Sequence, residues 1–191
     1  MTDIKSHVDL YFQKVEDVLN KLDRRPISDF VDALLATYEN GGTIYVFGNG
    51  GSAATAAHFC GDFIKGISHG LNKRFKAICL SDNIPGMTAI ANDISYEEIF
   101  VEQIRNLLKK GDLLVGFSGS GNSANVVKAM EYAKSAAVKT VACCGYDGGK
   151  VKRIADIVIH AQICDMEISE DAHLVICHCI KRILMNKLHK K

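Results

Sequence analysis

The chain has no apolar run of the ~20 residues needed to cross a bilayer, so a membrane-spanning helix is excluded. Its opening residues, Met1-Thr2-Asp3-Ile4-Lys5-Ser6-His7, lack the apolar core of a signal peptide, and a cytoplasmic location is expected. Lysine and arginine form no strongly basic block. The net charge is only +1 at pH 7, which speaks against a broad nucleic-acid surface. None of the seven cysteines forms a Cys-x-x-Cys pair. Cys79, Cys143, Cys144, Cys177 and Cys179 sit in apolar runs and read as buried reduced thiols rather than a disulfide frame. Neither the six-residue dinucleotide fingerprint nor a Walker lysine loop occurs.

What is present is a chain of 191 residues, 48% hydrophobic and 24% charged, which suits one soluble domain over 1–191 with a helical extension over 1–40. Ile4, Val8, Tyr11, Val15, Val18, Leu19 and Leu22 recur at helical spacing over 3–23, and Pro26 is expected to end that helix. Ser28 is expected to cap a second helix, carrying Val31, Leu34, Leu35 and Tyr38, that stops at Gly41-Gly42. Apolar runs at 43–47, 75–80, 113–117, 140–144 and 157–160 read as strands. Helices are expected near 52–65, 86–91, 96–109, 124–137 and 169–187. Strands alternating with helices imply an α/β fold, a parallel sheet covered on both faces. Ligands of such sheets bind beyond the carboxyl ends of the strands, near the switch in strand order.

Two strand ends carry similar punctuation. The first strand runs into Gly48-Asn49-Gly50-Gly51-Ser52 and then a small-residue helix. Glycines permit a sharp turn, and the helix then opens with unpaired N–H groups and the positive end of its dipole. Such a corner favours a phosphate ester, although Gly-Gly-Ser alone also makes an ordinary strand-to-helix turn. The third strand ends in Ser118-Gly119-Ser120-Gly121-Asn122-Ser123, with a helix from Ala124. Three hydroxyls beside a helix start bind phosphate without a lysine. Ordinary serine turns would look the same, but two such corners at equivalent positions favour a phosphorylated small molecule.

His58 and Asp62 are four apart on one helix and share a face. The spacing suits two metal ligands, an acid and a base, or a local hydrogen bond. The last helix adds Glu170, Asp171, His173 and His178. His178 lies among apolar residues and is expected to be largely buried, possible also as a core histidine. Glu170 is eight residues from His178, ~12 Å along a straight helix, so the two meet at one metal only if Glu170 bends back from a frayed start. Asp171 is closer to His178 in helical angle, and spacing alone does not choose between them. Two imidazoles and two carboxylates suit zinc or another borderline divalent ion.

Gly48-Asn49-Gly50-Gly51-Ser52, His58-Phe59, Ser118-Gly119-Ser120-Gly121-Asn122-Ser123-Ala124-Asn125-Val126 and the late His178 together resemble the sugar isomerase (SIS) domain family, and within it the phosphoheptose isomerase group. The resemblance covers nearly the whole chain. It implies a five-stranded parallel sheet flanked by helices, flavodoxin-like and three-layered, with N-terminal helices packing between subunits of a homotetramer. It implies an aldose–ketose isomerase for a sugar phosphate, sedoheptulose 7-phosphate to D-glycero-D-manno-heptose 7-phosphate, with neither nucleic acid nor membrane as partner. By the same resemblance Asn49, Gly50, Gly51, Ser52, Asn92, Asp93, Ser118, Gly119, Ser120, Ser123 and Glu170 meet the substrate. His58, Asp62, Glu170 and His178 fall on the family's zinc positions.

The chain departs from the family pattern at three places. Asp62 replaces a Glu, Glu170 replaces a Gln, and Gly119 replaces a hydroxyl residue. Isomerisation through an enediol needs a base at carbon, an acid at oxygen and positive charge near the oxyanion. Asp62 (or Glu170) is expected to take the carbon proton and His178 to relay the proton at oxygen, with zinc as Lewis acid. Two alternatives stand beside this reading: a non-catalytic SIS protein that binds a sugar phosphate or a replication initiator, and an isomerase of another ketose phosphate.

Overall fold

Five short segments, β1 (Thr43–Gly48), β2 (Lys76–Cys79), β3 (Leu113–Ser118), β4 (Lys139–Cys144) and β5 (Ile157–His160), pair in an all-parallel sheet of order β2-β1-β3-β4-β5. The structure is a computed structural model that describes residues 3–189. Met1, Thr2, Lys190 and Lys191, counted above in the single domain, lie outside the described residues. Side chains alternate across the pleat, so neighbouring residues of β1 enter different cores. Ile44 and Val46 join Phe30, Leu34, Phe59, Phe63, Ile176 and Ile180 on one face. Tyr45 and Phe47 join Phe100, Ile104, Val126 and Met130 on the other. Burial on both faces of β1, β3 and β4 explains why those strands read as continuous apolar runs.

The first face is covered by α2 (Arg25–Glu39), α3 (Gly51–Gly61) and α8 (Met166–Leu188). The second is covered by α5 (Val101–Ile104), α6 (Ala124–Ser135) and α7 (Val151–Ile154). Met87, Ile90 and Ala91 of α4 (Ile84–Asp93) pack against that second core. The N-terminal helix α1 (Ile4–Lys21) packs on the start of α8 through Val18, Ile168 and Ala172. Lys14 Nζ reaches Asp165 at 3.2 Å there. Among the described residues no helix is long and apolar enough to cross a membrane.

Local boundaries differ from expectation for identifiable reasons. Pro26 sits in the first turn of α2 and starts it rather than ending α1, because its fixed φ suits a helix start. Ser28 therefore lies inside α2. The single helix expected over 96–109 is broken into a 3₁₀ turn, Tyr96–Glu98, and the single turn of α5. Ile99, Phe100 and Val101 are all buried, and three successive residues cannot share one stripe of a regular helix. α8 begins three residues early because Asp165 caps it, its side chain accepting from Ile168 N. The short α7 was not expected. All seven cysteines are free, and Cys179, expected in the interior, is exposed with Cys164.

Candidate active site

The strand order reverses between β1 and β3, which leave that point toward opposite edges of the sheet. Their carboxyl ends carry the two glycine–serine corners. In the first, a Cβ on Gly48 would lie 2.8 Å from the Ser52 backbone, so the strand can pass the helix this closely only as glycine. The Ser81 hydroxyl donates to Gly48 O at 2.9 Å and holds the corner from below. In the second, Gly121 has φ +67°, and a Cβ there would lie 2.1 Å from Gly148 O. Ser118 Oγ accepts from Gly121 N at 3.2 Å and lies 3.3 Å from Ser123 Oγ.

Both corners line one cleft of about 240 Å³. Asn49, Gly50, Gly51 and Ser52 form one wall, and Ser118, Gly119, Ser120 and Ser123 the other. Neither Gly50 before α3 nor Ser123 before α6 makes a side-chain cap, so the first N–H groups of both helices, ahead of Ala53 N and Val126 N, which bond Asn49 O and Asn125 Oδ1, remain for a ligand. Two uncapped helix starts and three hydroxyls are chemistry for an anion. Met166 and Glu170 close the cleft from α8. The Met166 thioether stands 2.3 Å from where a Cβ on Gly119 would be, so a side chain at that departure would push the thioether aside.

Two helical turns along α3, His58 Nε2 lies 3.0 Å from His178 Nε2 and 3.7 Å from Asp62 Oδ2. One ligand atom from each of His58, Asp62 and His178 falls within 4.8 Å of the others. Asp62 opens a π-helical turn, Asp62–Ile67, that follows α3. Its Oδ1 accepts from Lys181 Nζ, while its Oδ2 is buried and has no hydrogen-bond partner. An orphaned carboxylate oxygen aimed at two imidazoles fits a divalent cation, and two His with one carboxylate is a three-ligand zinc set that leaves a position open.

Several expectations are corrected here. Glu170 does not join the His58–Asp62–His178 group. α8 is regular from Met166, so Glu170 is not at a frayed start and stays ~12 Å up the helix from His178. Its carboxylate instead rests over Gly51, where a Cβ would lie 2.0 Å from its oxygen, beside the positive end of α3. Asp171 is committed to Tyr11, whose hydroxyl donates to Asp171 Oδ2 at 2.7 Å and whose pKa is pushed up to about 12 by that bond. His178 is exposed, and the buried histidine of α8 is His173. Asn92 and Asp93 end α4, exposed and bonded to each other at 2.7 Å, and do not line the cleft. Sequence reasoning passed over Lys181, Met166 and Asn125, whose partners are all distant in the chain. A larger cleft of about 570 Å³ opens at the amino ends of the strands. Asp112 and Asp156 line it, but they already accept from Thr43 N and Thr140 N at 2.8 and 2.9 Å.

Comparison with known proteins bears on the fold and the family. Residues 10–145 match the SIS domain family. A phosphoheptose isomerase of Helicobacter pylori is 42% identical over 161 residues, covering 82% of this chain and 83% of that protein. One of Trichlorobacter lovleyi is 35% identical over 184 residues, covering 93% and 87%. The solved structure of phosphoheptose isomerase from Neisseria gonorrhoeae superposes with a TM-score of 0.88 at 29% identity, covering 95% of this chain and 98% of that one. With sheet order, corners and relatives in agreement, the chain belongs to the SIS domain family, as a sugar-phosphate isomerase of the phosphoheptose isomerase kind.

Proposed function

We propose that this isomerase interconverts sedoheptulose 7-phosphate and D-glycero-D-manno-heptose 7-phosphate through an enediol. The observation that carries the reading is the meeting of two uncapped helix starts and three serines in one cleft at the switch point. The phosphate binds there, on N–H groups of the Asn49–Ser52 corner and the hydroxyls of Ser118, Ser120 and Ser123. The relatives named phosphoheptose isomerase support the seven-carbon substrate. The stretch of α3 from Gly51 to His58, ~10 Å, also suits an extended seven-carbon chain with its phosphate at one end.

His58, Asp62 and His178 would hold a zinc ion, which when bound polarises a carbonyl as a Lewis acid. His178, open to solvent, moves the proton between the two sugar oxygens in the state in which no ion holds its ring nitrogen. Asp62 takes the proton from carbon, its charge held by Lys181 on the far oxygen. The working unit is a homotetramer in the cytoplasm.

Turnover of sedoheptulose 7-phosphate followed by NMR tests the assignment. Asp62→Asn and His178→Gln should each lower kcat by about 10²–10⁴-fold, the range of a lost general acid or base. Full turnover in both variants would refute it.

A further inference from the structure

We infer that Asn125, with Tyr96, is a positioning residue that clamps the two phosphate corners together by way of the Asn49 side chain. Asn49 Nδ2 donates to Asn125 Oδ1 and Asn125 Nδ2 donates to Asn49 Oδ1, both at 2.9 Å. The reciprocal pair joins residues 76 apart in the chain, one from each corner. Asn125 is 1% exposed, so the pair works largely out of water, where a hydrogen bond is stronger and a lost one costs more. The orientation of both amides is determined: Val126 N donates to Asn125 Oδ1 at 2.9 Å, which identifies that atom as the oxygen and so fixes Asn49 as well.

A third strut comes from the segment after α4. Tyr96 O–H donates to Asn49 Oδ1 at 3.0 Å. With Asn125 and Tyr96 both upon it, Asn49 Oδ1 has no lone pair left for a ligand. Asn49 therefore serves the cleft through its backbone and one remaining amide N–H, and its side chain acts chiefly as the rivet between corners. Nothing else among the described side-chain hydrogen bonds links the Gly48–Ser52 corner to the Ser118–Asn125 corner. Loss of the rivet lets the two sets of N–H and hydroxyl donors drift apart, which weakens binding of the phosphate and leaves the proton-transfer groups on α3 and α8 in place.

The inference rests on the isomerase reading for its substrate but not for its measurement. Asn125→Ala, Tyr96→Phe, Asn49→Ala and the double variant Asn49→Ala/Asn125→Ala are titrated with inorganic phosphate by calorimetry. They are also assayed for KM and kcat with sedoheptulose 7-phosphate. Asn125→Ala should weaken phosphate binding and raise KM about tenfold, equivalent to about 1.4 kcal/mol, with kcat changed far less. Tyr96→Phe should give a smaller shift of the same kind. The double variant should bind no more weakly than Asn49→Ala alone, because Asn125 acts through Asn49. Unchanged phosphate affinity and KM, with only a lower melting temperature, would overturn the clamp. So would fully additive losses in the double variant. Should Asn125→Ala fail to fold, Tyr96→Phe decides, since Tyr96 is exposed and its hydroxyl alone is removed. Weakened phosphate binding in a chain that turns over no heptose phosphate would uphold the clamp and reject the isomerase reading alone.

Discussion

Buried in α8, His173 is 1% exposed, and neither ring nitrogen has a hydrogen-bond partner among the described residues. Burial pushes its pKa from 6.5 down to about 4, against a weaker opposing pull from the Cys144 backbone. The neutral ring is thus favoured by the folded state. On acidification the unfolded chain takes up this proton near pH 6.5, and the folded chain does so only near pH 4. Stability falls across that window by about 3 kcal/mol from this group and changes no further below it. His173→Leu should flatten the pH dependence of the denaturant midpoint between pH 6.5 and 4, read against wild type. His178 shows how residue-level reasoning erred. Its apolar neighbours in sequence suggested burial, yet Ile176, Cys177 and Ile180 turn inward while His178 stays on the outer stripe of α8, facing His58. Helical angle separated His173 from His178, and composition could not.

At the scale of elements, each corner depends on a glycine that its helix or a distant loop crowds. Gly121 combines φ +67° with a carbonyl 2.1 Å from where a Cβ would stand, and that carbonyl is rigid backbone. Gly121→Ala should destabilise the chain by about 2–3 kcal/mol, seen as a lower denaturant midpoint with unchanged slope. Phosphate affinity should fall with it, because Gly121 N rests on the Ser118 hydroxyl. The strands were legible in the sequence to within a residue or two, since burial on both faces of the central strands β1, β3 and β4 writes an unbroken apolar run. The segment 96–109 was not. Its periodicity suggested one helix, but the demand that Ile99, Phe100 and Val101 all reach the core bends the backbone. Asn125 was visible as part of a motif, while its pairing with Asn49 depends on how far apart β1 and β3 stand.

At the scale of the whole molecule, one face of α1 has no partner among the described residues. Ile4, Val8 and Phe12 recur at four-residue spacing and are 80%, 47% and 70% exposed. A stripe of this kind on a regular helix is the natural seat for a second copy of the chain, in keeping with the proposed homotetramer. Phe12→Glu should reduce the oligomer mass measured by light scattering, with the circular dichroism of the protomer kept. A metal at His58, Asp62 and His178 would also act at this scale, since an ion held only by the folded chain stabilises it by mass action. Adding zinc to metal-stripped protein should raise the melting temperature, and His58→Ala should abolish the rise. Equal rises in both would remove His58, Asp62 and His178 as the site.

By itself the sequence determined the alternation of strand and helix, the two glycine–serine corners and the sharing of one helix face by His58 and Asp62, because periodicity and turn chemistry are local. Only the tertiary structure decided what meets what. The β2-β1-β3-β4-β5 order set the corners side by side, and the packing of α8 along α3 sent Glu170 to Gly51 and His178 to His58. Those meetings depend on sheet order and helix register, which arise from burial summed over the whole chain and leave no mark in any short stretch of it.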